Sequence, residues 1–188
     1  MEEKAEKKLK VLFLHGYGCS GAYLKKRLQD PVEYDRTLNE SMALIEETMV
    51  KFGPFDGVLG FSQGAYVAAA LPILQAQGMA LTKVEAIKFV VVISGGKLGG
   101  SKVPAPTLAK NAFTTLTEIP SLHCFGENDS FAKLPAIELL GSFVDPFVIF
   151  HSGGHEVPKL DEEGLKVMIS FVNKIQATVS AHGLRSLL

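Results

Sequence analysis

Short apolar runs alternate with amphipathic segments along this chain, and this alternation limits its fold more than any other feature. Five runs predict strands that are buried on both faces, because they are continuous in Val, Ile, Leu and Phe. These runs are Lys10–Leu14, Gly57–Phe61, Lys88–Ser94, Ser121–Phe125 and Pro146–Phe150. Strands of this kind, separated by helical segments, predict an α/β fold in which a parallel sheet of about five strands carries helices on both faces.

Three helices are expected between and after these strands. Apolar residues recur at spacings of three and four in 36–52 and again in 165–179, and this pattern is typical of one buried helix face. Another helix should begin just after Ser62 and run through 65–75, where Pro72 kinks it or removes one hydrogen bond. The segment 95–118 is rich in glycine, proline and threonine, so we expect it to be mainly a loop.

The stretch between the first two strands looks incomplete for such a fold. It carries two helical patterns, 21–29 and 36–52, and the linker 30–35 is too short and polar to supply a buried strand. One strand is therefore missing from the pattern, and we expect Lys10–Leu14 at a sheet edge. Since an apolar edge strand can pair with another chain, we hypothesise a homodimer in which this strand pairs with the same strand of a second copy.

Composition and charge exclude several classes of function. The 188 residues fit one domain, 1–188, with a charged lead-in at 1–8 and a C-terminal tail at 180–188. The net charge of −1 gives no field that would attract nucleic acid. No apolar stretch approaches the roughly 20 residues that span a bilayer. Cys19 and Cys124 show no disulfide or metal-ligand spacing, so we expect a cytoplasmic protein without a metal.

The segment Gly60-Phe-Ser62-Gln-Gly64 gives the strongest indication of function. It follows an apolar strand and opens a helix, as a nucleophile elbow requires. The sharp turn needs glycine on both sides and lifts the serine hydroxyl above the sheet. The helix N-terminus and the N–H of Gln63 then point at the oxyanion that develops when the serine attacks a carbonyl. We predict Ser62 as a nucleophile and Gln63 as an oxyanion donor.

A second glycine-rich turn closes the first strand, in Leu14-His-Gly-Tyr17-Gly18. In hydrolases with a nucleophile elbow, a backbone N–H from a loop of this kind completes the oxyanion hole. Tyr17 is the predicted donor. The alternative is a plain strand-to-helix turn.

A serine hydroxyl needs a base that takes its proton, and two of the five histidines are suitably placed. His151 ends the last strand, whereas His155 lies four residues further on, after Gly153-Gly154, in a loop that can fold over the elbow. We favour His155 and keep His151 as the alternative. The pair could also hold a metal, but that spacing serves a helix and the two glycines argue against one.

The acid that orients this histidine should follow the carboxyl end of a strand, where the loops of a parallel sheet form the site. Asp56 and Asp145 precede strands and so fall at the wrong edge. Asp129 follows the fourth strand, and Glu127 in the same loop is the alternative. The order of nucleophile, acid and histidine along the chain is that of an α/β-hydrolase.

Four stretches of the chain resemble the FSH-type family of serine hydrolases, which includes the ovarian-cancer-associated hydrolases. They are Val11-Leu-Phe-Leu-His-Gly-Tyr17, Gly53-Pro-Phe-Asp-Gly-Val-Leu-Gly-Phe-Ser-Gln-Gly-Ala65, Ser121-Leu-His-Cys-Phe-Gly-Glu-Asn-Asp129 and Gly154-His-Glu-Val-Pro158. The resemblance implies an α/β-hydrolase fold, no cofactor and carboxylesterase activity on simple alkyl esters. It also implies that Ser62, Asp129 and His155 occupy the positions of the family's triad.

The chain departs from that family between the first helix and the nucleophile strand, where members carry a further strand and a loop beside the pocket. It thus resembles a shortened form. The leading hypothesis is a serine hydrolase that cleaves small-molecule carboxylic esters through an acyl-enzyme intermediate. The alternative is a catalytically weak or inactive hydrolase that acts as a binding protein.

Overall fold

A computed structural model describes residues 8–16 and 31–185 of the chain. These residues form a parallel five-stranded sheet in the order β1-β2-β3-β4-β5. The strands are β1 (Val11–Leu14), β2 (Gly57–Phe61), β3 (Phe89–Ile93), β4 (Ser121–Gly126) and β5 (Phe147–His151). The helices are α1 (Pro31–Phe52), α2 (Gln63–Ala76), α3 (Lys133–Leu140) and α4 (Glu162–Arg185), with a 3₁₀ turn at Thr107–Ala109. The five predicted strands are confirmed to within two residues at each end.

Helices cover both faces of the sheet, as predicted. Alternate side chains of β3 point to opposite faces because the period of a strand is two residues. Val90 and Val92 pack in one core with α1 and α2. Val91 and Ile93 pack in a second core, which includes Phe171 of α4. The α/β fold class predicted from the sequence is therefore confirmed.

α1 begins earlier than the periodicity predicts. The helix starts at Pro31, so the linker expected at 30–35 is wrong from residue 31 onward. Proline suits the first helical position, because its fixed φ is helical and its missing N–H has no partner there. Glu33 adds an acidic side chain in the first turn, where the helix dipole favours it. The helical pattern at 21–29 lies outside the described residues.

β1 lies at one edge of the sheet that the described residues form, and residues 31–52 between it and β2 are helical throughout. Its backbone pairs with β2 on one side, from Val11 opposite Gly57 to Leu14 opposite Gly60. Phe13 is 54% exposed and Val11 is also exposed, so β1 presents an apolar surface. The edge position predicted for this strand is confirmed.

Of the remaining helices, α2 and α4 were expected from the sequence and α3 was not. α2 contains Pro72, as expected, and the segment 95–118 is mostly loop. The side chain of Asp161 accepts the N–H of Gly164 at 2.8 Å and caps the start of α4, which runs on through Arg185. α3 has no counterpart in the sequence prediction. Within the described residues, no helix is long and apolar enough to cross a membrane.

Candidate active site

Ser62 lies on the sharp turn between β2 and α2. Its φ of 54° and ψ of −120° fall in a region that side-chain-bearing residues rarely adopt. Neighbouring glycines make this turn possible. A Cβ at Gly60 would lie 2.3 Å from the carbonyl oxygen of Gly64, and a Cβ at Gly64 would lie 2.2 Å from that of Leu14. The turn therefore has the geometry of a nucleophile elbow, with the half-buried Ser62 at its top.

His155 connects the serine to a buried carboxylate. Its Nε2 lies 2.8 Å from Oγ of Ser62, and its Nδ1 lies 2.8 Å from Oδ2 of Asp129. Both distances are those of good hydrogen bonds. The three side chains come from the loops that follow the carboxyl ends of β2, β4 and β5. In a parallel sheet these ends lie on the same side. The serine hydroxyl, the imidazole and the carboxylate thus form one continuous hydrogen-bonded chain.

The loops that carry Asp129 and His155 are bonded to each other. The N–H of Glu127 donates to the carbonyl of His151 at 2.8 Å, and that of Asn128 donates to the carbonyl of Gly153 at 3.2 Å. A Cβ at Gly126 would lie 2.3 Å from the same Gly153 oxygen. This close contact fixes the histidine loop against the end of β4, which places His155 beside Asp129.

Asp129 is only 1% exposed, and each of its carboxylate oxygens has a partner. Oδ1 accepts the N–H groups of Phe131 at 3.0 Å and Ala132 at 2.8 Å, while Oδ2 faces His155. Burial by itself raises the pKa of this carboxyl, but the hydrogen bonds from Ala132 and His155 outweigh it and keep the pKa below its ordinary value. A charged acceptor therefore faces Nδ1 of His155.

The alternatives to these residues have other partners. Nδ1 of His151 accepts the N–H of Gly153 at 3.2 Å. Glu127 is exposed to solvent. Asp56 lies at the opposite edge of the sheet, where it accepts the N–H of Lys10 at 3.0 Å and pairs with Nζ of Lys88 at 2.9 Å. Among the acids and histidines that the sequence left open, the structure brings Asp129 and His155 to Ser62.

The start of α2 and the residues after β1 both lie close to Ser62. Gln63 is the first residue of α2, and the first N–H groups of a helix have no partner within it. Gly16 approaches the elbow so closely that a Cβ there would lie 3.0 Å from Cβ of Ser62. The chain at Gly16, two residues after β1, therefore passes beside Ser62. Tyr17 lies outside the described residues.

Two phenylalanines beside His155 escaped the sequence analysis. The ring centroids of Phe61 and Phe131 each lie 5.4 Å from that of the imidazole, with interplanar angles of 37° and 82°. Phe61 directly precedes Ser62, and Phe131 follows Asp129 by two residues. Their closeness in sequence to two predicted site residues is the one signal from which they could have been predicted.

The described residues contain no cluster of three or more His, Cys, Asp or Glu side chains that could hold a metal. Cys124 is a buried thiol in β4, and burial raises its pKa to about 12. A thiol with so high a pKa is a poor nucleophile at neutral pH. Cys19 lies outside the described residues.

A comparison with protein families identifies the family to which this chain belongs. The family model described as "Serine hydrolase (FSH1)" matches residues 29–167, which is well over half of the chain. The chain belongs to this serine hydrolase family. The FSH1-family match includes the elbow, the loop of Asp129 and the loop of His155, and the resemblance seen in the sequence is confirmed.

Curated relatives of this FSH1-family chain are named esterases. Over 130 residues it is 36% identical to the esterase C25G4.2 of Caenorhabditis elegans, an alignment that covers 68% of this chain and 56% of the relative. It is 32% identical to the human esterase OVCA2 over 124 residues, which is 65% of this chain and 52% of the relative. The chain spans about half the length of the curated relatives it matches.

Solved structures share the fold of this FSH1-family chain at much lower identity. An acyl-protein thioesterase 2 from Zea mays superimposes with a TM-score of 0.54 at 17% identity, covering 94% of this chain and 97% of that one. The protein YahD, solved with malic acid, gives a TM-score of 0.59 at 15% identity, with coverage of 90% and 96%. At such identities the likeness establishes the α/β-hydrolase fold alone.

Proposed function

We propose that this FSH1-family protein hydrolyses carboxylic esters through an acyl-enzyme intermediate. Ser62 is the nucleophile, His155 the general base and acid, and Asp129 the group that orients the imidazole. The observation that carries the proposal is the unbroken chain of hydrogen bonds, at 2.8 Å each, from Asp129 through His155 to Ser62. Relatives named esterases support an ester as the small-molecule substrate.

The reaction follows from the positions of these atoms. Nε2 of His155 takes the proton of the Ser62 hydroxyl as Oγ forms a bond to the ester carbonyl carbon. The imidazolium then gives this proton to the alcohol oxygen as the acyl C–O bond breaks. Water attacks the acyl-enzyme by the same steps, and the products are a carboxylic acid and an alcohol. Throughout, the charge of Asp129 stabilises the imidazolium through Nδ1.

The negative oxygen of each tetrahedral intermediate needs donors that are already in place. We assign this role to the backbone N–H groups of Gln63 and Tyr17. Gln63 lies at the N-terminus of α2, where the helix dipole favours negative charge. The close approach of Gly16 to Ser62 supports the assignment of its neighbour Tyr17. Loss of one such donor typically lowers the rate by about 10²–10³.

A second copy of the chain is the partner we propose, paired through the edge of β1 that has no neighbouring strand among residues 8–16 and 31–185. The exposed side chains of Val11 and Phe13 and the edge position of the strand support it. An edge strand of this kind offers N–H and C=O groups to another strand, and pairing would also cover the two apolar side chains.

Turnover of a short alkyl ester by Ser62→Ala tests the proposed mechanism. The matched control is Ser152→Ala, which removes an exposed hydroxyl from the loop of His155. We expect Ser62→Ala to lose about 10⁶ in kcat, as other triads do without their serine, and the control to keep wild-type kcat. Equal turnover by Ser62→Ala and the wild-type protein would overturn the assignment of the nucleophile.

A further inference from the structure

The imidazole of His155 lies between two phenyl rings that differ in their surroundings. Phe61 is partly buried and packs against the core on the α4 side of the sheet, so this core fixes its ring. Phe131 is 43% exposed. Its backbone is nevertheless fixed, because its N–H donates to Oδ1 of Asp129 at 3.0 Å. The ring of Phe61 is thus part of the core. The ring of Phe131 is partly exposed to solvent, although a hydrogen bond fixes its backbone.

An exposed phenyl ring at this position carries a cost unless it contacts a ligand. Apolar surface left in water forgoes about 25 cal/mol per Å² of stabilisation. Val157, two residues beyond His155 in the sequence, is also largely exposed. The ring of Phe131 adjoins the imidazole, which in the proposed reaction exchanges a proton with the substrate.

The chemistry of the proposed reaction defines which part of the substrate lies there. Nε2 of His155 delivers its proton to the oxygen of the leaving alcohol, so this oxygen must come within hydrogen-bonding distance of the imidazole. The carbonyl oxygen lies instead toward the N-terminus of α2. The carbon atoms attached to the leaving oxygen therefore extend past His155, where the exposed face of Phe131 lies.

We propose that Phe131 determines specificity for the alcohol portion of the substrate and selects esters of apolar alcohols. This inference rests on the proposed function, because it requires His155 to protonate the leaving group. The ring centroids of Phe61 and Phe131 each lie 5.4 Å from that of the imidazole, so the exposed ring of Phe131 adjoins the group that protonates the leaving alcohol.

The test compares esters that differ only in the alcohol. Ethanol and hexanol have similar leaving-group reactivity, so the ratio of kcat/KM for hexyl butyrate to that for ethyl butyrate reports contact with the alcohol chain. We expect Phe131→Ala to lower this ratio about tenfold, mainly through a higher KM for the hexyl ester. Ethyl hexanoate against ethyl butyrate varies the acyl chain, and we expect that ratio to stay at the wild-type value.

Two further variants complete the experiment. Leu134→Ala removes a side chain that is 56% exposed on α3, and we expect it to keep the wild-type ratio. Phe131→Leu keeps an apolar side chain, and we expect it to lower the hexyl-to-ethyl ratio of kcat/KM about threefold. It therefore tests the inference if Phe131→Ala fails to fold. An unchanged alcohol ratio in Phe131→Leu or Phe131→Ala would overturn the inference, as would a change confined to the acyl ratio.

The two proposals fail in different ways in this experiment. If Ser62→Ala turns over ethyl butyrate as fast as the wild-type protein, the proposed function itself is wrong. If Ser62→Ala is inactive while the Phe131 variants keep the wild-type alcohol ratio, only the role of Phe131 is wrong.

Discussion

Nε2 of His155 lies 2.8 Å from Oγ of Ser62, although the two residues are 93 positions apart in the sequence. The parallel sheet brings them together, because β2 and β5 end at the same edge. The hydrogen bond holds the hydroxyl and the imidazole in the arrangement that proton transfer needs. Reacting groups that are held in the right geometry contribute to rate by lowering the entropic cost of bringing them together.

We expect Asp129→Asn to fold but to lose about 10⁴ in kcat. An asparagine can keep an acceptor at the position of Oδ1, where the N–H groups of Phe131 and Ala132 donate. The amide nitrogen would then replace Oδ2 and present a donor to Nδ1 of His155, which favours the wrong tautomer. Steady-state kinetics with Glu127→Gln as the control in the same loop would measure this. Comparable losses in both variants would contradict the role of Asp129.

Gly64→Ala should lower the free energy of unfolding by about 1–3 kcal/mol and disrupt the elbow. The new Cβ would lie 2.2 Å from the carbonyl oxygen of Leu14, and a backbone atom cannot swing aside as a side chain can. Gly141→Ala is the control, since its Cβ would lie 3.8 Å from the nearest atom, at a φ of −65°. Urea unfolding would measure the free energy of unfolding of both variants and of the wild-type protein. Equal stability of the two variants would contradict the close contact described for Gly64.

The buried His123 should make the protein less stable in acid. Burial lowers its pKa from 6.5 to about 4, so the unfolded chain takes up this proton more readily than the folded one. Stability is therefore fully present above pH 6.5 and is lost as the pH falls from 6.5 to about 4. At about 1.4 kcal/mol per pKa unit, the loss is roughly 3 kcal/mol.

The variant His123→Leu removes this titration from the folded and the unfolded state. Chemical denaturation at several pH values between 6.5 and 4 should give a flatter dependence of the unfolding free energy on pH than in the wild-type protein. Identical slopes would mean that His123 does not couple folding to protonation. The slope is the informative quantity here, because the substitution also changes packing against Phe143.

Sedimentation velocity tests the proposed pairing through β1. The fraction of dimer in the wild-type protein should rise with protein concentration. Phe13→Lys should lower this fraction, because a lysine on an edge strand disfavours pairing. Val50→Lys is the control, since Val50 is exposed on α1 rather than on β1. A wild-type protein that stays monomeric at high concentration would refute the pairing, and so would equal dimerisation of the two lysine variants.

Much of the fold could be predicted because its central strands are buried. β3 is buried along its full length and leaves a continuous apolar run in the sequence, Phe89-Val-Val-Val-Ile93. α3 left no such signal, since it spans only eight residues and several of its apolar side chains, including Leu134 and Ile137, face solvent. The start of α1 was missed for a different reason. It begins with a proline, which is as typical of a linker as of a helix start.

The candidate site was predictable to the extent that backbone topology determines it. Ser62, Asp129 and His155 each follow a strand, so their common edge could be inferred from strand order alone. Phe131 could not be found in this way. Its position beside His155 depends on how the loop after β4 turns, which the N–H groups bonded to Asp129 determine. Side-chain contacts of that kind leave no periodic pattern in a sequence.

The most direct test of the central claim is reaction with an alkyl fluorophosphonate, followed by intact mass and peptide mapping. Such a probe reacts with a serine that a neighbouring base activates, and it does not require knowledge of the natural substrate. We predict one adduct per chain, on Ser62, and none in Ser62→Ala at the same concentration and time. A folded wild-type protein that stays unlabelled, or labelling that persists in Ser62→Ala, would contradict the assignment of an active triad.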